Sequence, residues 1–368
     1  MNAIAVRTHQ GEYYAGETVY GMIYLKVATP DFQAKVQLLI SGIEHCEYTP
    51  VEGDDWSINH PEDCLRNPYE DRVMSNPVEI FTQKEPLPIG NYKFPFYYKL
   101  KPGLPSSTFI SSPRDNWQGS VIYKVIASAS SELIDTQSFV CLGKRREDIV
   151  IIGYSHDTMI KACFCYERGR ITLSAELDKT VYRTGETMKL TVNVNNKSSE
   201  LTKAVKCSLR RTVKLHGCWV PQNHPPKAAE SSLIYESFRS VGRMRTQEEV
   251  EINAEEVKLN ILGKASPKEN RTWVIDMPLA TDDGALLPPT TMGTYLKVVY
   301  SILIQVAVPR ATDLLITVPI FQVLSSASSE WLEWRPEAWM QECEMPPRQD
   351  KLAVKKSILE SPVYEGLL

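Results

Sequence analysis

Serine, histidine and aspartate stand together at Gly153-Tyr-Ser155-His156-Asp157, the residue types of a nucleophile, a base and an orienting acid. A triad needs its members to converge in space from separate elements, which chain neighbours seldom do, so this stretch is read as a loop. Cys163-Phe-Cys165 offers two thiolates, but a structural zinc site needs four ligands and no second pair stands at ligand spacing. Buried, reduced thiols are the expectation there. Asp282-Asp283-Gly284 lacks the further acidic residues that would supply the roughly six to eight oxygens of a calcium site, and is read as a turn. Neither a Gly-x-Ser-x-Gly elbow, a P-loop nor a His-Glu-x-x-His is present, and the six histidines pair with no cysteine or carboxylate at motif spacing. The expectation is a protein without catalytic residues, metal or cofactor.

What remains is the chemistry of binding. Lys144-Arg145-Arg146 follows a strand-like stretch, and Arg210-Arg211 with Lys214 lies near the end of another. Such clusters can hold acidic or phosphorylated segments by charge-assisted hydrogen bonds, although lysine and arginine are exposed on most proteins whatever their function. The formal net charge of -4 argues against broad nucleic-acid binding, which needs a basic surface.

The elements that must position these residues come from an internal repeat. Tyr13-Tyr-Ala-Gly16-Glu17-Thr18 is echoed by Tyr182-Arg-Thr-Gly185-Glu186-Thr187. Each copy is read as a turn: glycine supplies a positive φ, tyrosine anchors the corner, and glutamate caps the turn as an acceptor. After the first copy Val19, Gly21, Ile23, Leu25 and Val27 alternate with Tyr20, Met22, Tyr24 and Lys26; after the second, Met188, Leu190, Val192 and Val194 alternate likewise. That period of two belongs to half-buried strands. Val36, Leu38 and Ile40 then fall at the same offset as Val205, Cys207 and Leu209. Leu104-Pro105-Ser106-Ser107-Thr108 resembles Leu287-Pro288-Pro289-Thr290-Thr291, and each leads to a strand, Val121-Ile-Tyr123 or Val298-Val-Tyr300. The reading is all-β, with two tandem β-sandwich domains at 1–160 and 165–325 and a flexible tail at 326–368. Ser155 to Arg170 is taken as the linker, and Ala228 to Asn270 as a long hairpin excursion or mobile loop.

Apolar content of 43% and charged content of 23% are those of a folded globular chain. The opening residues lack a secretion signal, and the strongest candidate for a spanning helix, Val298 to Val308, holds Tyr300, Ser301 and Gln305 and falls short of the roughly 18 residues needed. Eight scattered cysteines in this context suit a reducing compartment, so cytoplasmic residence is expected.

The order Lys161-Ala-Cys163-Phe-Cys165, Gly169-Arg-Ile171-Thr-Leu173, Leu177-Asp178-Lys-Thr-Val-Tyr182-Arg-Thr-Gly185-Glu186 resembles the start of the C-terminal domain of alpha-arrestins, the arrestin-domain-containing branch of the arrestin family. Gly103-Leu104-Pro105-Ser106-Ser107 with Gly119-Ser-Val-Ile-Tyr123 resembles the matching part of the N-terminal domain. The resemblance implies two immunoglobulin-like sandwiches and a non-catalytic adaptor. Its implied partners are cytoplasmic tails of membrane proteins on one side and endocytic coat or ubiquitin-ligase components on the other. Peripheral recruitment to the plasma membrane or endosomes would follow. The family's Pro-Pro-x-Tyr ligase motif is missing: Pro346-Pro347 runs into Arg348-Gln349, and Pro362-Val-Tyr364 has one proline too few. A retromer-type coat subunit of arrestin-like shape is the alternative, and a β-sandwich enzyme a more distant one. In the tail, Trp331-Leu-Glu-Trp334 resembles a tryptophan box bound by coat proteins, with docking back onto the second domain as the competing reading. Tyr364-Glu-Gly-Leu367 fits the tyrosine-x-x-bulky-apolar pattern that sorting adaptors accept as an extended strand.

Overall fold

The computed structural model describes residues 1–49, 63–66, 71–83, 85–112, 116–145, 153–162, 166–221, 248–281, 284–309, 311–320 and 322–346. In the first half the strands are β1 (Ala3–Thr8), β2 (Glu12–Tyr13), β3 (Thr18–Val27), β4 (Lys35–Tyr48), β5 (Asp63–Arg66), β6 (Asp71–Thr82), β7 (Gly90–Lys99), β8 (Thr108–Ser112), β9 (Trp117–Ser128) and β10 (Ile134–Cys141). The second half adds β11 (Gly153–Ala162), β12 (Tyr166–Leu177), β13 (Val181–Arg183), β14 (Thr187–Asn196), β15 (Val205–Pro221), β16 (Glu248–Ile261), β17 (Asn270–Pro278), β18 (Thr291–Met292), β19 (Leu296–Val306), β20 (Leu314–Ile320) and β21 (Gln322–Leu324). Two short helices follow, α1 (Ser329–Glu333) and α2 (Ala338–Gln341).

The first domain packs the sheet β1-β3-β7 against strands built around β4, β9 and β10. The second packs β11-β12-β14-β17 against β15, β19 and their neighbours. Alternation in the sequence decides which faces meet. Val19, Ile23, Leu25 and Val27 are buried, as are Val36, Leu38 and Ile40; Met188, Leu190, Val192 and Val194 are their second-domain counterparts, with Val205, Cys207 and Leu209. Every second residue of β19, from Leu296 to Val306, is buried, and each such side chain contributes about 1.5–3 kcal/mol.

The repeated motifs fold alike. Gly16 and Gly185 have φ of 88° and 82°, conformations that a side chain would strain. Glu17 Oε2 accepts the Tyr14 amide at 2.8 Å, and Glu186 Oε2 accepts that of Arg183 at 3.0 Å, so both glutamates cap their turns. At the far corner the Tyr123 hydroxyl donates to the Pro105 carbonyl at 2.8 Å, and that of Tyr300 to the Pro288 carbonyl at 2.7 Å. One local solution is thus used twice.

Two expectations change, and for the stretch from Ala228 the described residues agree with the hairpin alternative. The described residues of the supposed linker, Ser155 to Arg170, are extended: β11 pairs antiparallel with β12 from Gly153↔Glu176 onward and forms the edge of a sheet. The triad-type residues therefore lie on a strand rather than a loop, where Ser155 and Asp157 project to one face and His156 to the other. Asp157 pairs with Arg170 at 3.4 Å, while the Leu315 amide donates to His156 Nδ1 at 3.3 Å. The stretch from Ala228 contains β16, which forms a long hairpin with β15 through Lys206↔Ile261 to Gly217↔Glu248. Finally, residues 326–346, expected within a flexible tail, pack back, and they do so on the first domain rather than the second: α2 lies on β3 and β7, and Glu344 bridges to Tyr92. Cys163, Cys165, Asp282 and Asp283 lie outside the described residues.

Candidate functional site

The seam between the two sandwiches is polar and closely bonded. Glu44, at 1% exposure on β4, reaches across it: its carboxylate accepts the amides of Thr294, Tyr295 and Leu296 at 3.0, 2.8 and 2.7 Å. A Cβ on Gly293 would run into that carboxylate, so glycine there is a requirement of the close approach. Thr291 Oγ1 donates to the Ser106 carbonyl at 2.9 Å, and Thr108 Oγ1 to that of Pro289 at 3.3 Å. The backbone is continuous across the seam as well, because Cys218–Pro221 of β15 pair with β5, which pairs with β4.

Lys144 and Arg145 leave β10 at this seam. Gly143, with φ of 67°, turns the chain there, and its carbonyl accepts the Ala15 amide at 2.9 Å. Gln322 Nε2, from the second domain, donates to the Leu142 carbonyl at 2.8 Å and lies 3.4 Å from that of Lys144. Both basic side chains are exposed, with the Arg145 guanidinium 5.2 Å from the centre of the Tyr14 ring. Nearby, Arg183 pairs with Glu12 across the domains at 2.9 Å; this hydrogen bond, against some burial, raises the Arg183 pKa. Arg146 lies outside the described residues.

The second basic cluster sits in a different setting. Arg210, Arg211 and Lys214 lie within β15, half-buried, opposite Glu256, Glu255 and Glu251 of β16 in the ladder and opposite Ser301, Tyr300 and Lys297 of β19. The cluster thus lies mid-strand, between two neighbouring strands, rather than near a strand end. The structure does not bring this cluster together with Lys144 and Arg145 on one element.

Two of the three tail tryptophans, Trp331 and Trp334, cage Arg7 on the first domain. The Arg7 guanidinium lies 4.1 Å from the centre of the Trp331 ring and 4.6 Å from that of Trp334, and donates to the Trp331 carbonyl. Trp331 Nε1 donates to Thr8 Oγ1 at 3.1 Å, and Ser328 caps α1 by accepting the Trp331 amide at 3.2 Å. Farther on, Lys93 donates its amide to the Glu344 carbonyl at 2.9 Å, and Glu344 returns one to Asn91 at 3.0 Å. Tyr364 and Leu367 lie outside the described residues.

Two family models match this architecture: the N-terminal domain of Arrestin (or S-antigen) over residues 3–139, and its C-terminal domain over residues 167–325. The chain belongs to the arrestin family. It is 22% identical over 224 residues to "Arrestin domain-containing protein A" of Dictyostelium discoideum, covering 58% of this chain and 38% of that protein. Identity to human "Arrestin domain-containing protein 5" is 24% over 221 residues, 56% of this chain and 60% of that one. "Phosrestin-1" of Drosophila melanogaster is 27% identical over 146 residues, 36% of each chain. The chain spans less than two thirds of each of these relatives, and the two arrestin-domain-containing proteins agree with the alpha-arrestin branch. No described helix of this arrestin is long and apolar enough to cross a membrane. Two of its key side chains, Glu44 and Arg7, carried no sequence signal. Each is a charged residue within an alternating strand, and the contacts that define its role come from the docked second domain or tail. The one available hint was three tryptophans in a segment without periodicity.

Proposed function

We propose that this arrestin is an adaptor that holds cytoplasmic tails of membrane proteins and passes them to endocytic coat or ubiquitin-ligase components. The observation that carries the reading is the exposed Lys144–Arg145 pair at the interdomain seam. Cations placed where both domains meet can report a bound anionic tail to both sandwiches, and the neighbouring Arg183–Glu12 pair and Gln322 link that position to the second domain. The family membership supports the adaptor role in general terms. Without a Pro-Pro-x-Tyr motif, recruitment of a ligase would go through a further partner. The terminal Tyr364-Glu-Gly-Leu367 pattern is the candidate contact for a coat adaptor.

The test is direct. Lys144, Arg145 and Arg146 are replaced together by alanine in the full chain, and binding to phosphorylated and unphosphorylated tail peptides is measured by fluorescence anisotropy at low and physiological salt. Loss of about tenfold or more for the phosphorylated peptide, with a shallower salt dependence, is expected. Unchanged affinity and salt dependence would remove the cluster from the binding site.

A further inference from the structure

A cleft of about 440 Å³ opens between the docked tail and the sheet β1-β3-β7. Its size falls in the range of small-molecule sites. The wall has two characters. Met22, Trp331, Trp334, Met340 and Cys343 supply soft apolar surface, while Arg7, Lys93 and His9 supply the basic groups, and no carboxylate is among the described residues that line it. Arg7 spends one arm of its fork on the Trp331 carbonyl; its Nη1 is shielded from solvent with no hydrogen-bond partner among the described residues. A buried donor left unmade is a standing cost, and a guanidinium arm is shaped to receive a carboxylate oxygen. Burial first, then the charge of Arg335, pulls the Arg7 pKa below its ordinary value, so an anion here would relieve both effects.

We propose that this cleft binds a medium-chain fatty carboxylate, with its head on Arg7 Nη1 beside Lys93 and its chain along Met22, Met340 and the tryptophan rings. Methionine suits such a chain because it adapts to irregular apolar shapes. A peptide is a poorer occupant. The backbone it would need on β7 is taken by Glu344, bonded to Asn91 and Lys93. Because Arg7 comes from β1 and Trp331, Trp334 and Met340 from the tail, an occupant touches both bodies and favours the docked tail by mass action.

The experiment uses the full chain, with dodecanoate and its neutral counterpart dodecanol as probes below micellar concentration. Binding is followed by tryptophan fluorescence and native mass spectrometry, and alkylation of Cys343 reports the docked tail. Saturable one-to-one binding of dodecanoate is expected, about tenfold or more tighter than dodecanol. Dodecanoate should also slow the alkylation of Cys343. Arg7→Gln should equalise the two probes. Should Arg7→Gln also expose Cys343, Lys93→Gln and the cleft-filling Met22→Phe take its place, the first weakening dodecanoate alone and the second weakening both probes. No saturable binding, equal affinity for the two probes in the unmodified chain, or indifference to every variant that keeps Cys343 protected would overturn the proposal. The adaptor reading rests on the Lys144 cluster and is untouched by either result.

Discussion

Replacing Glu44 by alanine strikes the seam at its most buried charge. The carboxylate accepts three amides at 2.7 to 3.0 Å, all from the other domain, at a side chain 1% exposed. Hydrogen bonds to a charged acceptor contribute about 1.5–3 kcal/mol each, and donors left unpaired cost about 1–3 kcal/mol apiece. Water entering the vacated space recovers part of this, which leaves a loss of about 3–5 kcal/mol for Glu44→Ala. In a domain of about 160 residues that lowers the melting midpoint by about 6–20 °C. Glu44→Gln keeps one neutral acceptor and should lose about half as much. Urea unfolding measures the total, and hydrogen exchange locates it: the amides of Thr294, Tyr295 and Leu296 should exchange faster in the alanine variant while those of β14 do not. Gly293→Ala presses on the same carboxylate from the other side, so the double variant should fall well short of the sum of the two single losses. A Glu44→Ala protein within about 0.5 kcal/mol of the unmodified chain, with those amides still protected, would refute the reasoning.

Tyr300→Phe and Tyr123→Phe each remove a buried hydroxyl from a proline carbonyl, and each should cost about 1–2 kcal/mol in chemical denaturation; because Thr291–Ser106 and Thr108–Pro289 bond the two corners across the seam, the double variant should depart from the sum by about 0.5 kcal/mol or more. Burial pushes the thiols of Cys141 and Cys343 up to about 11 and that of Cys207 up to about 12. Site-resolved alkylation at neutral pH should therefore find Cys141 and Cys207 inert in the folded protein and Cys343 slow, with Cys343 the first to accelerate under mild denaturant as the tail lifts. Glu186 is held below its ordinary value of 4.5, chiefly by the hydrogen bond from Lys179. A depressed carboxylate stabilises the fold above that value and loses its contribution as the pH falls through the folded one. Glu186→Gln should thus be slightly less stable at neutral pH, since the pair is partly exposed and screened, and should converge with the unmodified chain in acid; a gap that stays constant with pH would count against the pair.

The amino-acid sequence by itself determined what depends on near neighbours. Alternation chose the buried face of β3, β14 and β19 because a strand sends successive side chains to opposite sides. The Tyr-x-x-Gly-Glu copies specified their turns because the positive φ and the capping carboxylate lie within one tight bend. Two copies of each signal then implied two domains. Only the tertiary structure decided the rest. Met22 alternates as an outward residue of β3 yet is 9% exposed, because the tail covers that face. Ser155 to Ala162 carried triad residue types and no clear period, and became a strand because β12 offered it an edge. Glu44 and its three amides are separated by 250 to 252 residues, and Arg7 and Trp331 by 324. Groups so distant leave no periodic trace along the chain, since a glutamate or arginine on a strand has the same local pattern whether it meets water or another domain, and these contacts form only once both surfaces have folded.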